Sequence, residues 1–300
     1  MKYLHIIFLR AHARDLHILY SKFYDNEIDL VFYLQINKNT ITLGFMHVEP
    51  IKTRIFNPPK DDLFKIFKSA IRSIPEKSIL AVTSKVVSIA EGRCVSGNGI
   101  GKEDLIKREA EYYLPRVHVP GEFVTHTIKN NLVVASAGID ASNAAGYYIL
   151  WPKDSYASAR TIHAWIQKTY GVSDVGVLIT DSHSIPFRRG VIGSALGYYG
   201  FLPLKDYRGK KDIFGRELIM TMTNIPDSLA VSAVVVMGEG NETTPVSLIT
   251  DVPWITFYNG PQSSKDLYSS FEVPMEEDTF APFFKDVPWE KGDGGIVFSG

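Results

Sequence analysis

The clearest pattern begins at Lys60, where Leu63, Ile66, Phe67, Ala70, Ile71 and Ile74 recur at the i, i+3, i+4 spacing of an amphipathic helix, with lysines and aspartates filling the other face. Pro75 removes an amide donor and predicts the end of that helix. Residues 78–82 then read as a buried strand that runs into Thr83, Ser84 and Lys85. A second strand is predicted over 131–135, leading through Ser136, Ala137, Gly138 and Ile139 to Asp140. A helical stretch over 158–169, closed by Gly171, precedes a third strand over 175–180 that ends on Asp181. Two strands thus deliver a carboxylate at their carboxyl ends, where side chains leave the core and ligand sites of α/β proteins form.

Further along, Gly190, Gly193, Gly197, Gly200, Gly209 and Gly215 predict close backbone approach rather than long helices. Asp227 reads as the N-cap of a helix with Leu229, Ala230, Ala233, Val234 and Met237 on one face, and Gly238 as its stop. Together these elements predict a mixed α/β (α+β) fold. The residues after Lys291 are glycine-rich and expected to fray.

The first 46 residues are less ordered in pattern. Residues 3–9 form an apolar run behind Lys2, but Arg10 and Arg14 close it too soon for a signal sequence or a membrane span, so a cytoplasmic protein is expected. His5, His12 and His17 follow no clean period.

Composition narrows the function. With 300 residues and 45% hydrophobic content, the chain can bury one sizeable core or two small ones. Lys+Arg 32 against Asp+Glu 33 leave no basic field for a phosphate backbone, so nucleic acid is not an expected partner. The single cysteine, Cys94, has no disulfide partner in the chain and reads as inert packing in a reducing compartment.

Common catalytic motifs are missing: there is no HExxH and no GxSxG, and the Gly97 to Lys102 stretch lacks Walker spacing and follows no clear strand. What remains is a set of oxygen groups, Asp140 and Asp181 with Ser142, Asn143 and Ser182 beside them. Such hard donors suit Mg²⁺ or Mn²⁺ completed by substrate phosphates. Aspartates after strands also cap turns, and spacing alone does not decide between the two readings. His183, two residues after Asp181, reads as a solvated or hydrogen-bonded loop histidine before it reads as a ligand.

The residue blocks themselves are more specific. Ser84-Lys85-Val86-Val87-Ser88-Ile89-Ala90-Glu91-Gly92-Arg93, Ala137-Gly138-Ile139-Asp140-Ala141-Ser142-Asn143 and Ile179-Thr180-Asp181-Ser182 through Arg188-Arg189-Gly190 resemble, in order, blocks of the coenzyme F420-0:γ-glutamyl ligase family. The run from Asp206 to Leu218, which holds Lys210-Lys211-Asp212, and Met237-Gly238-Glu239-Gly240 extend the resemblance over roughly residues 48–250. It implies a two-lobed fold, an intertwined homodimer with sites near the subunit interface, and a ligase that adds L-glutamate to a carboxylate of F420-0. GTP and a divalent cation, Mg²⁺ or Mn²⁺, drive such a reaction through an acyl phosphate. Within the resemblance, Asp140, Asp181 and Ser182 stand at metal positions. Ser84, Lys85, Asn143 and the segment from Val235 to Glu242, with Met237, Gly238, Glu239 and Gly240, stand at nucleotide positions, and the loop 54–57 aligns with another nucleotide-contacting stretch. Arg188, Arg189 and Lys211 are the candidate catalytic cations for phosphate.

There are departures. Ile89 stands where the family usually has lysine, and Ile185 where it has arginine, so two cations near phosphate are absent. Three readings follow: a ligase acting on F420-0 or a related acceptor, a ligase of folate or another pterin-like carboxylate, and a nucleotide-binding scaffold without turnover. The resemblance divides the chain into an N-terminal extension over 1–46, a ligase-like domain over 47–258, and a C-terminal acidic and aromatic segment over 259–300. In that last segment, residues 275–280 match the acidic end of a closing helix, and Phe283, Phe284 and Trp289 are expected to pack.

Overall fold

The computed structural model describes residues 22–24, 27–29, 33–36, 39–42, 45–258 and 260–294. The chain divides into two compact units, Met1–Met46 and His47–Gly300. In the first, β1 (Lys22–Tyr24) pairs antiparallel with β2 (Glu27–Asp29), and β3 (Tyr33–Ile36) with β4 (Asn39–Thr42). The apolar run 3–9 and the three histidines lie outside the described residues.

The second unit opens with β5 (His47–Ile51), α1 (Leu63–Ala70), β6 (Ser78–Thr83), α2 (Ser84–Glu91), β7 (Cys94–Ser96) and α3 (Lys102–Glu109). Then come β8 (Tyr112–Leu114), β9 (His126–Lys129), β10 (Leu132–Ala135), β11 (Tyr147–Ile149) and α4 (Ser155–Tyr170). The chain continues through β12 (Val175–Ser184), β13 (Val191–Tyr199), β14 (Leu204–Asp206), β15 (Met222–Asn224) and α5 (Ile225–Met237). It ends with β16 (Val246–Thr250), α6 (Ser264–Ser269), α7 (Ala281–Phe284) and β17 (Glu290–Lys291).

These elements build a mixed α/β fold around two sheets. The larger has the order β13-β12-β6-β16-β5, with β6 and β12 parallel and the other neighbours antiparallel. Strands β6 and β12 are buried on both faces, which is why they read as unbroken apolar runs instead of alternating ones. The smaller sheet, β10-β9-β8-β17, is antiparallel throughout. The buried apolar residues form two clusters: Ile79, Leu80, Val177, Leu178 and Tyr198 belong to the larger, and Leu105, Ile106, Tyr113, Ala137, Ile139 and Leu150 to the smaller. Among the described residues no helix is long and apolar enough to cross a membrane.

Helices α4 and α5 cover opposite faces of the larger sheet. A Cβ on Gly193 would fall 2.2 Å from the Ala230 carbonyl oxygen of α5, and one on Gly197 would fall 2.6 Å from the Ser155 carbonyl carbon of α4. Positions four apart on a regular strand share a face, but the register slips between Ile179 and Thr180, where Leu196 is the extra residue on β13. The bulge sends the two glycines to opposite sides, and each lets a helix approach the strand backbone directly.

Several sequence expectations are corrected. The first helix ends at Ala70, because Ile71 is extended; Ile71 and Ile74 still bury their side chains, so apolar spacing outlasted the helix. The strand carrying Asp181 does not stop at residue 180. Its pairing with β6 ends at Thr180, but β13 continues to pair with it as far as Ser184, placing Asp181 opposite Ser194. The N-cap of α5 is Asn224, not Asp227. Pro226 is accommodated in the first turn, where its missing amide costs nothing, and Asp227 instead accepts from the Ala195 amide of β13. A short strand, β7, does precede the Gly97 to Lys102 loop, which opens α3.

The acidic run 275–280 forms turns instead of a helix, since Asp278 takes the Phe280 amide with its own side chain. Phe284 and Trp289 are half-buried, whereas Phe283 is 72% exposed. Residues 292–294 are anchored: Gly292 donates to the Glu111 carbonyl and Gly294 to that of Ala110.

Candidate functional site

A cavity of about 600 Å³ opens where the two cores meet. The larger sheet contributes Thr83 at the end of β6 and Thr180, Asp181 and Ser182 from β12, at the point where the β6 pairing stops. Lys85, Val86 and Ile89 enter from α2, and residues 53–56 from the loop after β5. Asp140 and Asn143 come from the far side, just past Ile139 of the smaller core. Met237 and the loop 238–245 close the cavity at the end of α5.

Asp140 is fixed by a two-way backbone bridge with Ile149, its amide donating to Ile149 and its carbonyl accepting from it. Its Oδ2 lies 2.6 Å from Lys85 Nζ, and its Oδ1 accepts the Ser142 amide at 2.6 Å. Burial alone would push this carboxyl up, but the Lys85 ammonium and the Ser142 bonds outweigh it and hold the group below the ordinary carboxylate range. Asp181 has the opposite balance. Burial pushes it up to about 6, against a hydrogen bond from the Trp151 indole and the Ser182 amide. The two carboxylates facing one cavity are therefore shifted in opposite directions, Asp181 up by its deeper burial and Asp140 down by its ion pair with Lys85.

The loop after α5 is held from both sides. Asn143 Nδ2 donates to the Gly240 carbonyl at 2.9 Å, Ser182 Oγ donates to Glu239 Oε2 at 3.2 Å, and the Gly240 amide donates to Glu242 Oε2 at 2.8 Å. Gly238 adopts a φ of 78°, and a Cβ there would fall 2.5 Å from the Glu242 carboxyl carbon, so glycine is required at that turn. The Met237 carbonyl accepts from Thr244 Oγ1 at 2.6 Å.

The structure gathers Lys85, Asp140, Asn143, Asp181, Ser182, Met237, Gly238, Glu239 and Gly240 around one cavity. Ser84 is buried at the start of α2, behind the lining. Arg188 and Arg189 lie exposed on the turn between β12 and β13, and Lys211 on the β14–β15 loop opposite Glu217; none of the three lines the cavity of a single chain. Ile89 forms an apolar wall of the cavity, 2% exposed. His183 lies on β12 instead of a loop, and burial lowers its pKa. Sequence reasoning missed Trp151 and Thr180, whereas Glu242, the end of the predicted nucleotide segment, does line the cavity. Trp151 has no local signal, since its partner is 30 residues away.

Among the described residues no group of three or more His, Cys, Asp or Glu could hold a metal ion. The donors here are two carboxylates and the Ser182 hydroxyl, with Lys85 already supplying positive charge at Asp140. That set fits Mg²⁺ or Mn²⁺, which keep several waters and take one or two carboxylates alongside substrate phosphates; it does not fit zinc, which needs a closed or nearly closed shell of protein ligands.

Comparison with known proteins places the whole lining inside one matched span. The family model described as F420-0:Gamma-glutamyl ligase matches residues 50–251. The Coenzyme F420:L-glutamate ligase of Methanopyrus kandleri is 35% identical over 247 residues, covering 76% of this chain and 96% of that protein. The protein of the same name from Archaeoglobus fulgidus is 33% identical over 230 residues, 71% of this chain and 88% of its own length. That of Methanocaldococcus jannaschii is 42% identical over 164 residues, 55% of this chain and 63% of its own length.

Proposed function

The chain belongs to the F420-0:gamma-glutamyl ligase family, and on that premise we propose that it is a GTP- and divalent-metal-dependent ligase joining L-glutamate to a carboxylate of coenzyme F420-0. The observation that carries this reading is the convergence of Asp140 and Asp181, from separate cores, on a cavity with the Lys85 ammonium at its edge. A carboxylate acceptor can be joined to an amine only after its oxygen is turned into a leaving group. In the proposed reaction an acceptor oxygen attacks the γ-phosphorus, the bond to the β,γ-bridging oxygen breaks and GDP leaves. The glutamate amine then attacks the acyl carbon, phosphate departs with the C–O electrons, and the nitrogen gives up a proton.

Such a transfer asks the protein for position and charge instead of a nucleophile. Asp140, Asp181 and Ser182 would hold Mg²⁺ or Mn²⁺, which supplies positive charge to the phosphate oxygens. Lys85 keeps Asp140 ionised and adds a fixed cation. Asn143 pins the Glu239-Gly240 loop by its bond to the Gly240 carbonyl, shaping the side of the cavity assigned to nucleotide. Ser84 supports that side from beneath, and Arg188, Arg189 and Lys211, which lie outside the lining, are assigned to the phosphate end.

The homodimer belongs to the same proposal. On the β14–β15 arm, Ile213 and Phe214 are 91% and 89% exposed, and Ile219 and Met220 are also exposed, an apolar surface that a second subunit would cover.

The test is incubation of the purified protein with GTP, Mn²⁺, L-glutamate and F420-0. The expected result is a product heavier by one glutamyl residue, with one GDP and one phosphate formed per product. GTP binding without glutamylation of either F420-0 or a reduced folate would overturn the ligase reading in favour of a non-catalytic nucleotide binder; product from folate alone would reassign the acceptor.

A further inference from the structure

Trp151 is among the largest fully buried side chains, 2% exposed, although its ring carries a polar N–H. That N–H is used: Nε1 donates to Asp181 Oδ2. Every other side of the residue is held as well. Its carbonyl accepts from Arg93 Nε at 3.1 Å, and Lys129 Nζ stands 5.7 Å from the ring centroid. Lys129 and Arg93 in turn share Glu109 Oε2, at 2.6 and 2.9 Å, in a largely buried ion triad. On the remaining side lies Gly138, φ 69°, whose Cβ would fall 2.1 Å from indole Cε2 and Nε1, so only a residue without a side chain allows the ring to occupy this place.

This arrangement spans both carboxylates. Gly138 precedes Asp140 by two residues, and Ile149, which bridges Asp140, precedes Trp151 by two. A ring clamped against the Asp140 segment and hydrogen-bonded to Asp181 is a spacer between the two groups. The indole takes one lone pair of Oδ2, the Ser182 amide also bonds the carboxylate, and among the described residues no side chain donates to Oδ1.

We infer that Trp151 is a positioning residue of the metal site, holding Asp181 so that a divalent cation meets a single carboxylate oxygen from it. The inference rests on the reading of Asp181 as a metal ligand. One-oxygen ligation suits the small octahedral shell of Mg²⁺ or Mn²⁺, whereas Ca²⁺ readily takes a carboxylate through both oxygens. Outer partners of this kind tune affinity by their hydrogen bond to the ligand.

The test is Trp151→Phe, which keeps an aromatic ring against Gly138 and Lys129 but removes the N–H. Titration of the full chain with Mn²⁺ alone, followed by the loss of the free-ion paramagnetic signal, should show about 10- to 100-fold weaker binding. Competition with Ca²⁺ should show a smaller loss, so that the Mn²⁺ over Ca²⁺ preference falls. An unchanged preference would reduce Trp151 to packing and overturn the inference. Wild-type protein that binds no Mn²⁺ would remove the Asp181 assignment itself, a result distinct from normal wild-type binding with an indifferent variant. Should the variant not fold, wild-type protein labelled with ¹⁵N at its indoles decides the matter. One of the four indole N–H signals should resist solvent exchange and shift on adding Mg²⁺, and four unmoved signals would overturn the inference.

Discussion

Lys85 Nζ stands 2.6 Å from Asp140 Oδ2 and 3.0 Å from the Ser142 carbonyl, so one side chain from the first turn of α2 reaches the segment that leaves the smaller core. The pair is partly exposed, 26% and 42% by side chain, and its net worth to folding is about 0–1 kcal/mol. In the proposed reaction its worth is larger, because a fixed cation would act on charge developing at the phosphate. Lys85→Met is expected to lower kcat/KM for GTP by roughly 10²- to 10³-fold and to move the melting temperature by no more than a few degrees. Steady-state kinetics beside thermal unfolding measure both.

Asp181→Asn separates charge from shape. An amide keeps an oxygen acceptor for the Trp151 indole, and burial already pushes the Asp181 carboxyl up to about 6, so loss of the negative charge relieves the metal-free protein. The expected outcome is an equal or slightly raised melting temperature without metal and abolished Mn²⁺-dependent GTP binding. Wild-type nucleotide affinity in the variant, measured calorimetrically, would sink the metal assignment.

Glu272 gives a pH dependence remote from the cavity. Its Oε1 accepts from Tyr156 Oη at 2.6 Å while Oε2 is buried with no hydrogen-bond partner among the described residues, and burial pushes the carboxyl up to about 7 from 4.5. A pKa raised on folding stabilises fully below the unfolded value and loses that contribution as pH rises through the folded one. The loss therefore falls between about pH 4.5 and about pH 7 and is on the order of 3 kcal/mol. Glu272→Gln should match wild type near pH 4 and melt a few degrees higher at pH 8. Parallel pH dependence in the two proteins would refute the assignment.

Gly193→Ala places a methyl group 2.2 Å from the Ala230 carbonyl oxygen, a backbone atom with no rotamer to move. We expect a loss of about 3 kcal/mol or more, seen as a lower urea midpoint, with α5 the first element to lose amide protection. Gly190→Ala is the control for a bare turn, since nothing lies within 4 Å of its Cβ position and only its φ of 88° is strained.

The order of elements and the mixed fold were legible because β6, β12, α4 and α5 each carry enough apolar residues to declare themselves. Boundaries were less legible. Ile71 and Ile74 bury equally well in a helix or in extended chain, so their spacing could not mark where α1 stops. Asp181 read as the residue after a strand because polarity begins there, yet backbone pairing with β13 does not depend on side-chain polarity.

At the site, oxygen-bearing side chains and the blocks around them pointed to Lys85, Asp140, Asn143 and Asp181, which the fold does bring to one cavity. Trp151 was invisible for a physical reason. A tryptophan beside Leu150 and Pro152 looks like core, and its polar function exists only once two lobes close on it. Arg188, Arg189 and Lys211 stood out by charge, and charge on an exposed turn carries no information about which surface it serves.

The glycine at 193 bears on more than packing. Helix α5 touches β13 at Ala230 and ends at Met237, about 10 Å farther along its axis, where the loop with Glu239 and Gly240 forms a cavity wall. The helix thus rests on bare backbone near its middle and carries part of the cavity wall at its carboxyl end. A single absent methyl group on β13 therefore fixes how closely the helix that carries this wall can lie against the sheet.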